Sequence, residues 1–358
     1  MKCKLSDICD FRKGKVDVSK LTLKTYISTE NMLPNKGGIT EASSLPTIQL
    51  TQEYKKGDVL VSNIRPYFKK IWRAKYDGGC SNDVLVFKGN SNIDGDFLYY
   101  VLANDEFFDY SMATSKGTKM PRGDKTSIMQ YEASLIDLQV QKKIASVLKV
   151  LDEKIELNNE INNNLEQQAQ AIFDSMFPNI SNGENTIGDT ITPKRGKGLL
   201  SKNAVFGNVP VVAGGLEPST YHNTANTKAP VLAISASGAN AGFVSLWNIP
   251  IWSSDSSFID SSMTDDVYFW YVLLKKRQRE IYDSQTGSAQ PHIYPQHIAA
   301  MPISDLNFDD VRNYTYIVTP IFEMIGHNKD ENARLATTRD TLLPKLMSGE
   351  LDVSDIEI

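Results

Sequence analysis

The sequence predicts a mixed α/β (α+β) fold in which two repeated globular domains are joined by two long helices that form an antiparallel coiled coil within one chain. Three features support this fold class. Segments of the first half recur in the same order in the second half. Each half changes from short β-like runs to helical periodicity. Both long helical segments carry asparagine at matching positions of an otherwise apolar heptad pattern.

The internal repeat is clearest in three pairs of segments. These pairs are "LSDICDFRKGK" (5–15) with "IGDTITPKRGK" (187–197), "VLVSNI" (59–64) with "VLAISA" (231–236), and "GTKMPR" (117–122) with "GSAQPH" (287–292). Their offsets are 182, 172 and 170 residues, so the order is kept and the drift is small; Asp83 and Asp255 also match at 172. Ordered self-similarity of this kind indicates that one structural unit is used twice.

Each half is predicted to contain a globular part followed by a long helix. β-like runs such as "GDVLVSNI" and "APVLAISASG" precede helix-like runs, "GDFLYYVLANDEFFDYS" and "DDVYFWYVLLKKRQREIYDS". Pro178 and a polar Asn/Gly/Ser segment separate the halves. The predicted boundaries are 1–137 for domain 1, 138–178 for the first long helix, 179–186 for the linker, 187–305 for domain 2, 306–348 for the second long helix and 349–358 for a C-terminal tail.

The long helices share a coiled-coil seam that contains asparagine. Heptads place Asn158 and Asn162 in the first seam and Asn328 and Asn332 in the second. A buried asparagine must meet another polar group, so antiparallel pairing is predicted to place Asn162 opposite Asn328 and Asn158 opposite Asn332. Arg339 also falls in the seam and is expected to extend out to solvent. The alternatives are helices that pack separately on their own domains and a coiled coil between different chains.

The composition is that of an ordinary globular protein. It is 41% hydrophobic, and no apolar run approaches the ~20 residues that a membrane span needs. The N-terminal segment resembles no secretory signal, and the three cysteines form no CxxC pair. We therefore expect a reducing, cytoplasmic location. None of the four histidines has metal-ligand spacing, so no metal site is predicted.

The charge is unevenly distributed along the chain. The net charge of −5 alone disfavours binding to nucleic acid, but residues 1–137 contain 20 Lys and Arg against 17 Asp and Glu, whereas residues 306–358 contain 5 against 10. The acidity is therefore concentrated in helical segments. The globular parts are neutral to basic, which is compatible with local basic patches that face DNA.

Three stretches of the sequence are similar to those of one known family: "LQVQKKIASVLKVLDEKIELNN" (138–159), "TGSAQPHIYPQHIAAMPI" (286–303) and "TRDTLLPKLMSGEL" (338–351). Together with the repeated units and long helices, they make the chain resemble the specificity (S) subunits of type I restriction–modification enzymes over essentially its whole length. The first half departs from this pattern, because Met120-Pro121-Arg122 stands where the second half has Gln290-Pro291-His292.

This resemblance implies a function and a set of partners. Each globular half would be a target recognition domain for one part of a split site on double-stranded DNA, and the helices would set the spacing and hold two methyltransferase (modification) subunits. The chain itself would bind no cofactor. S-adenosylmethionine would be carried by the methyltransferase subunits, and ATP and Mg²⁺ would serve any restriction subunits.

Loops in both halves contain residue types suited to DNA. Lysine or arginine beside glycine lets charge and backbone approach phosphates together, while Arg reads guanine and Asn reads adenine. The alternatives are solvated turns and, for the histidine, a structural hydrogen bond. The candidate DNA-binding residues are Lys13, Lys15, Asn63, Arg65, Lys69, Lys70, Lys116, Lys119, Arg122, Lys194, Arg195, Lys197, Ser235, Ser237, Asn240, Gln290 and His292.

No catalytic motif is found in the sequence. "NIRPYF" (63–68) faintly resembles the Asn-Pro-Pro-Tyr loop of amino-methyltransferases but lacks the paired prolines. There is no GxxxxGK[ST] loop, and no context picks out a Ser-His-Asp triad. We therefore expect a non-catalytic specificity subunit that reads a split, asymmetric site. The alternatives are a repeat-built protein adaptor without DNA-reading activity and an enzyme that acts alone.

Overall fold

The computed structural model describes residues 2–134, 136–287 and 290–353, which belong to two compact units. Unit 1 comprises Met1–Ile155 together with Ala333–Ile358, and unit 2 comprises Glu156–Asn332. Both long helices contribute residues to both units. Residues 354–358 of the predicted C-terminal tail lie outside the described residues.

Unit 1 is built from two four-stranded sheets and a two-stranded pair. Its strands are β1 Lys2–Lys4, β2 Cys9–Phe11, β3 Lys15–Asp17, β4 Tyr26–Ile27, β5 Leu50–Tyr54, β6 Val59–Ser62, β7 Ile71–Arg73, β8 Gly78–Cys80, β9 Val84–Gly89 and β10 Glu132–Ser134. The strand orders are β2-β9-β6-β7, β3-β5-β8-β4 and β1-β10. Its helices are α1 Leu5–Ile8, α2 Gly95–Ala103, α3 Asp105–Ala113, α4 Lys125–Ile128 and the beginning of α5 Leu138–Met176.

The central strands of unit 1 are buried on both faces. Val59 and Val61 of β6 contribute to a core that also contains residues of α2 and α3. Leu60, which points to the opposite face, packs in a second core with Trp72 and Val86. Burial on both faces explains why this strand appears in the sequence as a continuous apolar run rather than as an alternating pattern.

Unit 2 repeats this plan with a smaller second sheet. Its strands are β11 Asn185–Thr186, β12 Lys194–Arg195, β13 Val209–Val212, β14 Thr220–His222, β15 Val231–Ser235, β16 Val244–Trp247, β17 Trp252–Ser253, β18 Ser256–Asp260 and β19 Pro302–Ile303. The strand orders are β12-β18-β15-β16, β14-β13-β17 and β11-β19. Its helices are α6 Val267–Lys276, α7 Gln278–Asp283, α8 Pro295–Ala299 and parts of α5 and α9 Phe308–Ser348.

The two long helices run antiparallel in unit 2 and meet through asparagine. Asn328 Nδ2 donates to Asn162 Oδ1 at 2.8 Å, and Asn158 Nδ2 donates to Asn332 Oδ1 at 2.8 Å. A rising residue number on α5 is therefore matched by a falling number on α9. These are the pairs that the heptad alignment predicts, and the predicted fold class is confirmed.

The expectation that Arg339 extends to solvent is wrong. Arg339 is only 6% exposed, and its guanidinium contacts Asp152 at 2.7 Å and Asp340 at 3.0 Å. Asp152 also accepts a hydrogen bond from the buried Tyr100 hydroxyl, while Asp340 pairs with Lys36 at 2.9 Å. Because carboxylates of both helices neutralise the charge of Arg339, the side chain can remain inside unit 1.

Each of the two helix-like runs forms two helices rather than one. In unit 1 the break falls at Asn104, whose side chain accepts from the backbone N–H of Glu106 and caps α3. In unit 2 the break falls at Arg277, between α6 and α7. Asparagine competes with the helix for backbone hydrogen bonds, which favours a new helix start at that position in unit 1.

The repeat also differs by one residue from the alignment made on sequence. The Asn63 N–H donates to the Asp83 carbonyl at 2.8 Å, and the Ala236 N–H donates to the Asp255 carbonyl at 3.1 Å. Asn63 therefore corresponds to Ala236, at an offset of 173 rather than 172. Apolar strand residues match one another at either offset, so the sequence alone does not distinguish these registers.

Two features are absent from the part of the chain that the structure describes. None of its helices combines the length and the apolar character needed to cross a bilayer. No three His, Cys, Asp or Glu side chains within residues 2–134, 136–287 and 290–353 come together in a group that could hold a metal ion.

The asparagine pair can be tested by a double-mutant cycle. Asn162→Leu alone should lower the free energy of unfolding by about 1 kcal/mol, because it leaves the Asn328 amide without its partner. Adding Asn328→Leu should recover this loss, since two apolar side chains then face each other. Urea denaturation measures the coupling. The matched control combines Asn163→Leu, at an exposed position, with Asn328→Leu; purely additive effects in the seam pair would contradict the pairing.

In unit 1, Lys36 pairs with both Asp105 and Asp340, Lys69 pairs with Asp105, and Arg339 pairs with Asp340. This ion cluster should make the free energy of unfolding depend on pH in the acid range. Burial opposes ionisation of Asp105 and Asp340, but hydrogen bonds from Lys69, Arg339 and Lys36 outweigh it, so the pKa of each carboxyl lies below its ordinary value. A lowered pKa in the folded state means that the stabilisation is complete above the unfolded pKa of about 3.9 and is lost as the pH falls below it.

Urea midpoints measured from about pH 6 down to about pH 3 should therefore fall, and Lys36→Gln should reduce this dependence. The control is Lys2→Gln, because the Lys2–Glu132 ion pair is largely exposed. Equal pH profiles for wild type and Lys36→Gln would exclude the cluster as the cause.

Candidate nucleic-acid interface

In unit 1, the turn after β6 is fixed to the loop that precedes α4. The backbone N–H of Arg65 donates to the Pro121 carbonyl at 2.8 Å, and the Gly123 N–H donates to the Asn63 carbonyl at 3.2 Å. Two segments that lie far apart in the sequence, and that both contain candidate DNA-binding residues, are thus brought side by side.

Unit 2 contains the same arrangement of backbone hydrogen bonds between a turn and a loop, here named the backbone frame. The Gly238 N–H donates to the Pro291 carbonyl at 3.1 Å, and the Ile293 N–H donates to the Ala236 carbonyl at 2.9 Å. The offsets from the bonds of unit 1 are 173 for the turn and 170 for the loop. The repeat therefore preserves a hydrogen-bonded arrangement as well as an order of elements.

The loop that precedes α4 in unit 1, and the equivalent loop before α8 in unit 2, are each closed by a pair of backbone hydrogen bonds. Lys116 and Arg122 exchange two N–H to carbonyl bonds of 2.9 Å, and Thr286 and His292 exchange bonds of 3.0 and 2.8 Å. Arg122 therefore occupies the place of His292, although the surrounding sequences differ. The departure of the first half from the Gln-Pro-His pattern changes two side chains and keeps the frame.

A carboxylate at the end of the central sheet contacts polar candidates in both units. Asp83 lies 3.2 Å from the guanidinium of Arg122. Asp255 lies 2.5 Å from Arg195 and accepts a hydrogen bond from the Ser237 hydroxyl. These two aspartates match at an offset of 172, and each orients a basic side chain at the surface.

Five predicted cations are exposed and free of internal ion pairs. Lys13, Lys15, Lys119, Lys194 and Lys197 form no ion pair with any acidic side chain in the described ranges. A free, exposed lysine can approach a phosphate without first breaking an internal contact.

Three other predicted lysines already have partners inside unit 1. Lys69 pairs with Asp105 at 2.8 Å, Lys116 pairs with Asp124 at 2.5 Å, and Lys70 Nζ donates to a backbone carbonyl at 2.6 Å. The contact with Lys116, together with bonds from the first turn of α4, lowers the pKa of Asp124 to about 2. A DNA phosphate would have to compete with these partners.

The polar candidates differ in how they are presented. Ser235 is only 3% exposed, and the Asn63 Oδ1 atom is enclosed without a hydrogen-bond partner among the described residues. Asn240 Nδ2 donates weakly to a backbone carbonyl at 3.3 Å. His292 Nδ1 lies 2.8 Å from the carbonyl of the exposed Gln290, which is the structural role considered for this histidine. Base contacts by these residues stay predictions.

Sequence reasoning missed exposed aromatic side chains in both units. Tyr67 lies in the turn of unit 1 and is 49% exposed. In unit 2, Phe206 is 95% exposed and lines an open groove of about 590 Å³ together with Tyr221. The available signal was a large aromatic residue within a turn-rich segment that has no helical or strand periodicity, since such a residue has no core face to occupy.

Comparison with known proteins identifies one family. Residues 1–167 match the family model described as the type I restriction modification DNA specificity domain. The chain is 32% identical over 181 residues to the type I restriction enzyme HindI specificity subunit of Haemophilus influenzae, a match that covers 48% of this chain and 39% of that protein. It is 24% identical over 350 residues to the MjaIX specificity subunit of Methanocaldococcus jannaschii, covering 85% of this chain and 79% of that one.

A solved structure shares the fold. The crystal structure of the type I restriction–modification system S subunit from M. genitalium aligns with a TM-score of 0.54 at 19% identity, over 97% of this chain and 96% of that chain. The match to HindI spans only about two fifths of that relative's length, whereas the matches to MjaIX and to the solved structure span most of theirs. Residues 1–167 thus match the type I restriction–modification DNA specificity domain, and most of the chain is similar to specificity subunits of that family.

Proposed function

We propose that this chain is the non-catalytic subunit that gives a type I restriction–modification complex its DNA sequence specificity. Units 1 and 2 each supply one recognition domain for a split, asymmetric site on double-stranded DNA. One observation carries the proposal: a single backbone frame is built twice and bears different side chains, with Lys116 and Arg122 in one unit against Thr286 and His292 in the other. Base edges are read by side chains, so the two half-sites differ.

Free positive charge in one loop of each unit supports contact with the DNA backbone. Lys13 and Lys15 flank a glycine in unit 1, and Lys194 and Lys197 lie beside a glycine in unit 2. Free lysines of this kind neutralise phosphates and release counterions, which gives affinity without sequence preference. Phosphate contacts at these loops would hold each unit in register with the base pairs.

Apolar side chains on the long helices support docking of partner subunits. In unit 2, Leu157 and Ile161 are exposed one turn apart on α5, and Tyr316 and Met324 are exposed on α9. An apolar stripe on the outside of a helix is typical of an interface with another protein. We infer that these faces contact two methyltransferase subunits, which carry S-adenosylmethionine. Restriction subunits, with ATP and Mg²⁺, would add cleavage, and the complex would act in the cytoplasm.

The function is tested by mapping DNA methylation. The chain would be co-expressed with a type I modification subunit in cells that lack other DNA methylation. We expect modified bases in a split, asymmetric motif with a fixed gap, and no such motif when the chain is omitted. An intact complex that methylates nothing would favour a protein adaptor, and a motif made by the modification subunit alone would exclude the specificity role.

The docking surface is tested by introducing charge. Leu157→Asp with Ile161→Asp should weaken association with the modification subunit about 10-fold or more, because it places carboxylates in an apolar contact. Native mass spectrometry or co-purification measures this association. The matched control, Asn163→Asp with Gln167→Glu, adds the same two charges at exposed positions away from the stripe. Equal losses in both variants would show that net charge, rather than the stripe, is responsible.

A further inference from the structure

The turn Asn63–Lys70 of unit 1 contains two residues in a backbone conformation that L side chains rarely adopt. Arg65 has φ 51° and ψ 66°, and Lys69 has φ 50° and ψ 44°. Both lie in the left-handed region, where Cβ crowds the backbone and glycine is favoured. Arginine and lysine are unusual residues at such positions.

Unit 2 has glycine at both equivalent positions. The Ser62 N–H donates to the Lys70 carbonyl, and the Ser235 N–H donates to the Phe243 carbonyl, each at 3.0 Å. The offset of 173 therefore holds through the turn. Arg65 corresponds to Gly238, with φ 82°, and Lys69 corresponds to Gly242, with φ 89°. The frame itself is satisfied by glycine, so the side chains of unit 1 are present for another reason.

An ion pair within unit 1 explains the side chain of Lys69, whereas no internal contact explains that of Arg65. Lys69 pairs with Asp105 at 2.8 Å, which fixes the turn to α3. Arg65 Nε is buried without a hydrogen-bond partner, and the guanidinium forms no ion pair with any acidic residue in the described part of the chain. Because Nε is buried, an acceptor from another molecule can reach only the two terminal NH2 groups of this guanidinium, which have no hydrogen-bond partner among the described residues.

The turn is rigid and lies at the surface. The Asn35 N–H donates to the Phe68 carbonyl at 2.8 Å, and the Arg65 N–H is held by Pro121. The ring of Tyr67 lies 4.7 Å from that of Phe68 and is exposed to solvent. Arg65 is therefore positioned by fixed backbone bonds on both sides, which is what discrimination between bases requires.

We propose that Arg65 is a specificity-determining residue that reads a guanine in the half-site bound by unit 1. This inference rests on the proposed function. Guanine presents two acceptors, O6 and N7, in the major groove, and their spacing matches two N–H groups of one guanidinium. A phosphate offers acceptors of similar geometry, and the experiment separates the two.

The test uses the full chain in its complex with the modification subunit. Methylation is measured on a library of sites in which each base of the motif is varied. Arg65→Gly should assemble and unfold at the wild-type temperature or above, because glycine suits φ 51°. Its preference for guanine at one position of one half-site should fall roughly 5- to 150-fold, with the other half-site unchanged. Arg65→Lys keeps the charge but lacks the paired N–H groups of the planar guanidinium, so it should lose most of the same preference.

The matched control is Asn35→Gly, because Asn35 is also left-handed, with φ 54°, and glycine keeps the backbone N–H that donates to the Phe68 carbonyl. It should leave the motif unchanged. An unchanged motif in Arg65→Gly would overturn the inference. A uniform loss at all sequences, with a weaker salt dependence, would also overturn it and identify a phosphate contact. A wild-type complex that methylates no split motif would refute the proposed function, whereas a normal wild-type motif with no effect of Arg65 refutes only the inference.

Discussion

The asparagine pairs between α5 and α9 are the constraint on which the helical part of unit 2 depends. Leucine and isoleucine pack acceptably at several registers, but a buried amide is satisfied only opposite another polar group. Sliding one helix by a heptad would leave the amides of Asn162 and Asn328 facing apolar side chains, at a cost of about 1–3 kcal/mol for each unsatisfied group. The amides therefore determine which turn of α9 lies beside which turn of α5, and hence which apolar side chains remain outside.

The backbone frame of units 1 and 2 separates architecture from side-chain chemistry. Its bonds join backbone amides to backbone carbonyls, so they do not depend on the side chains of the residues that make them. Arginine and histidine can therefore exchange at one position, and arginine and glycine at another, without loss of the frame. A domain with this construction can change the side chains at its surface while its architecture is kept.

The fold class could be predicted from the sequence because its signals are local and periodic. The seam asparagines recur at heptad spacing, and β6 and β15 stand out as apolar runs between turns. The register of the repeat could not be fixed, since valine and leucine match at either offset. The burial of Arg339 was missed because its partner Asp152 lies 187 residues away in the sequence. At the candidate site, the residue types were identified, but their internal partners and the left-handed turn are properties of the folded chain.

The composition of unit 1 has a consequence for the order in which the protein folds during synthesis. Its hydrophobic core combines residues of the N-terminal segment, such as Leu5, and Leu148 of α5 with Leu343, Leu346 and Val353, which lie about 200 residues further along the chain. Unit 2, in contrast, is a continuous segment, Glu156–Asn332. Ribosomes deliver the chain from its N-terminus, so the core of unit 1 stays incomplete until the whole of unit 2 has been made. The domain translated first is the last to be finished, and its apolar surface must stay protected while the second domain emerges.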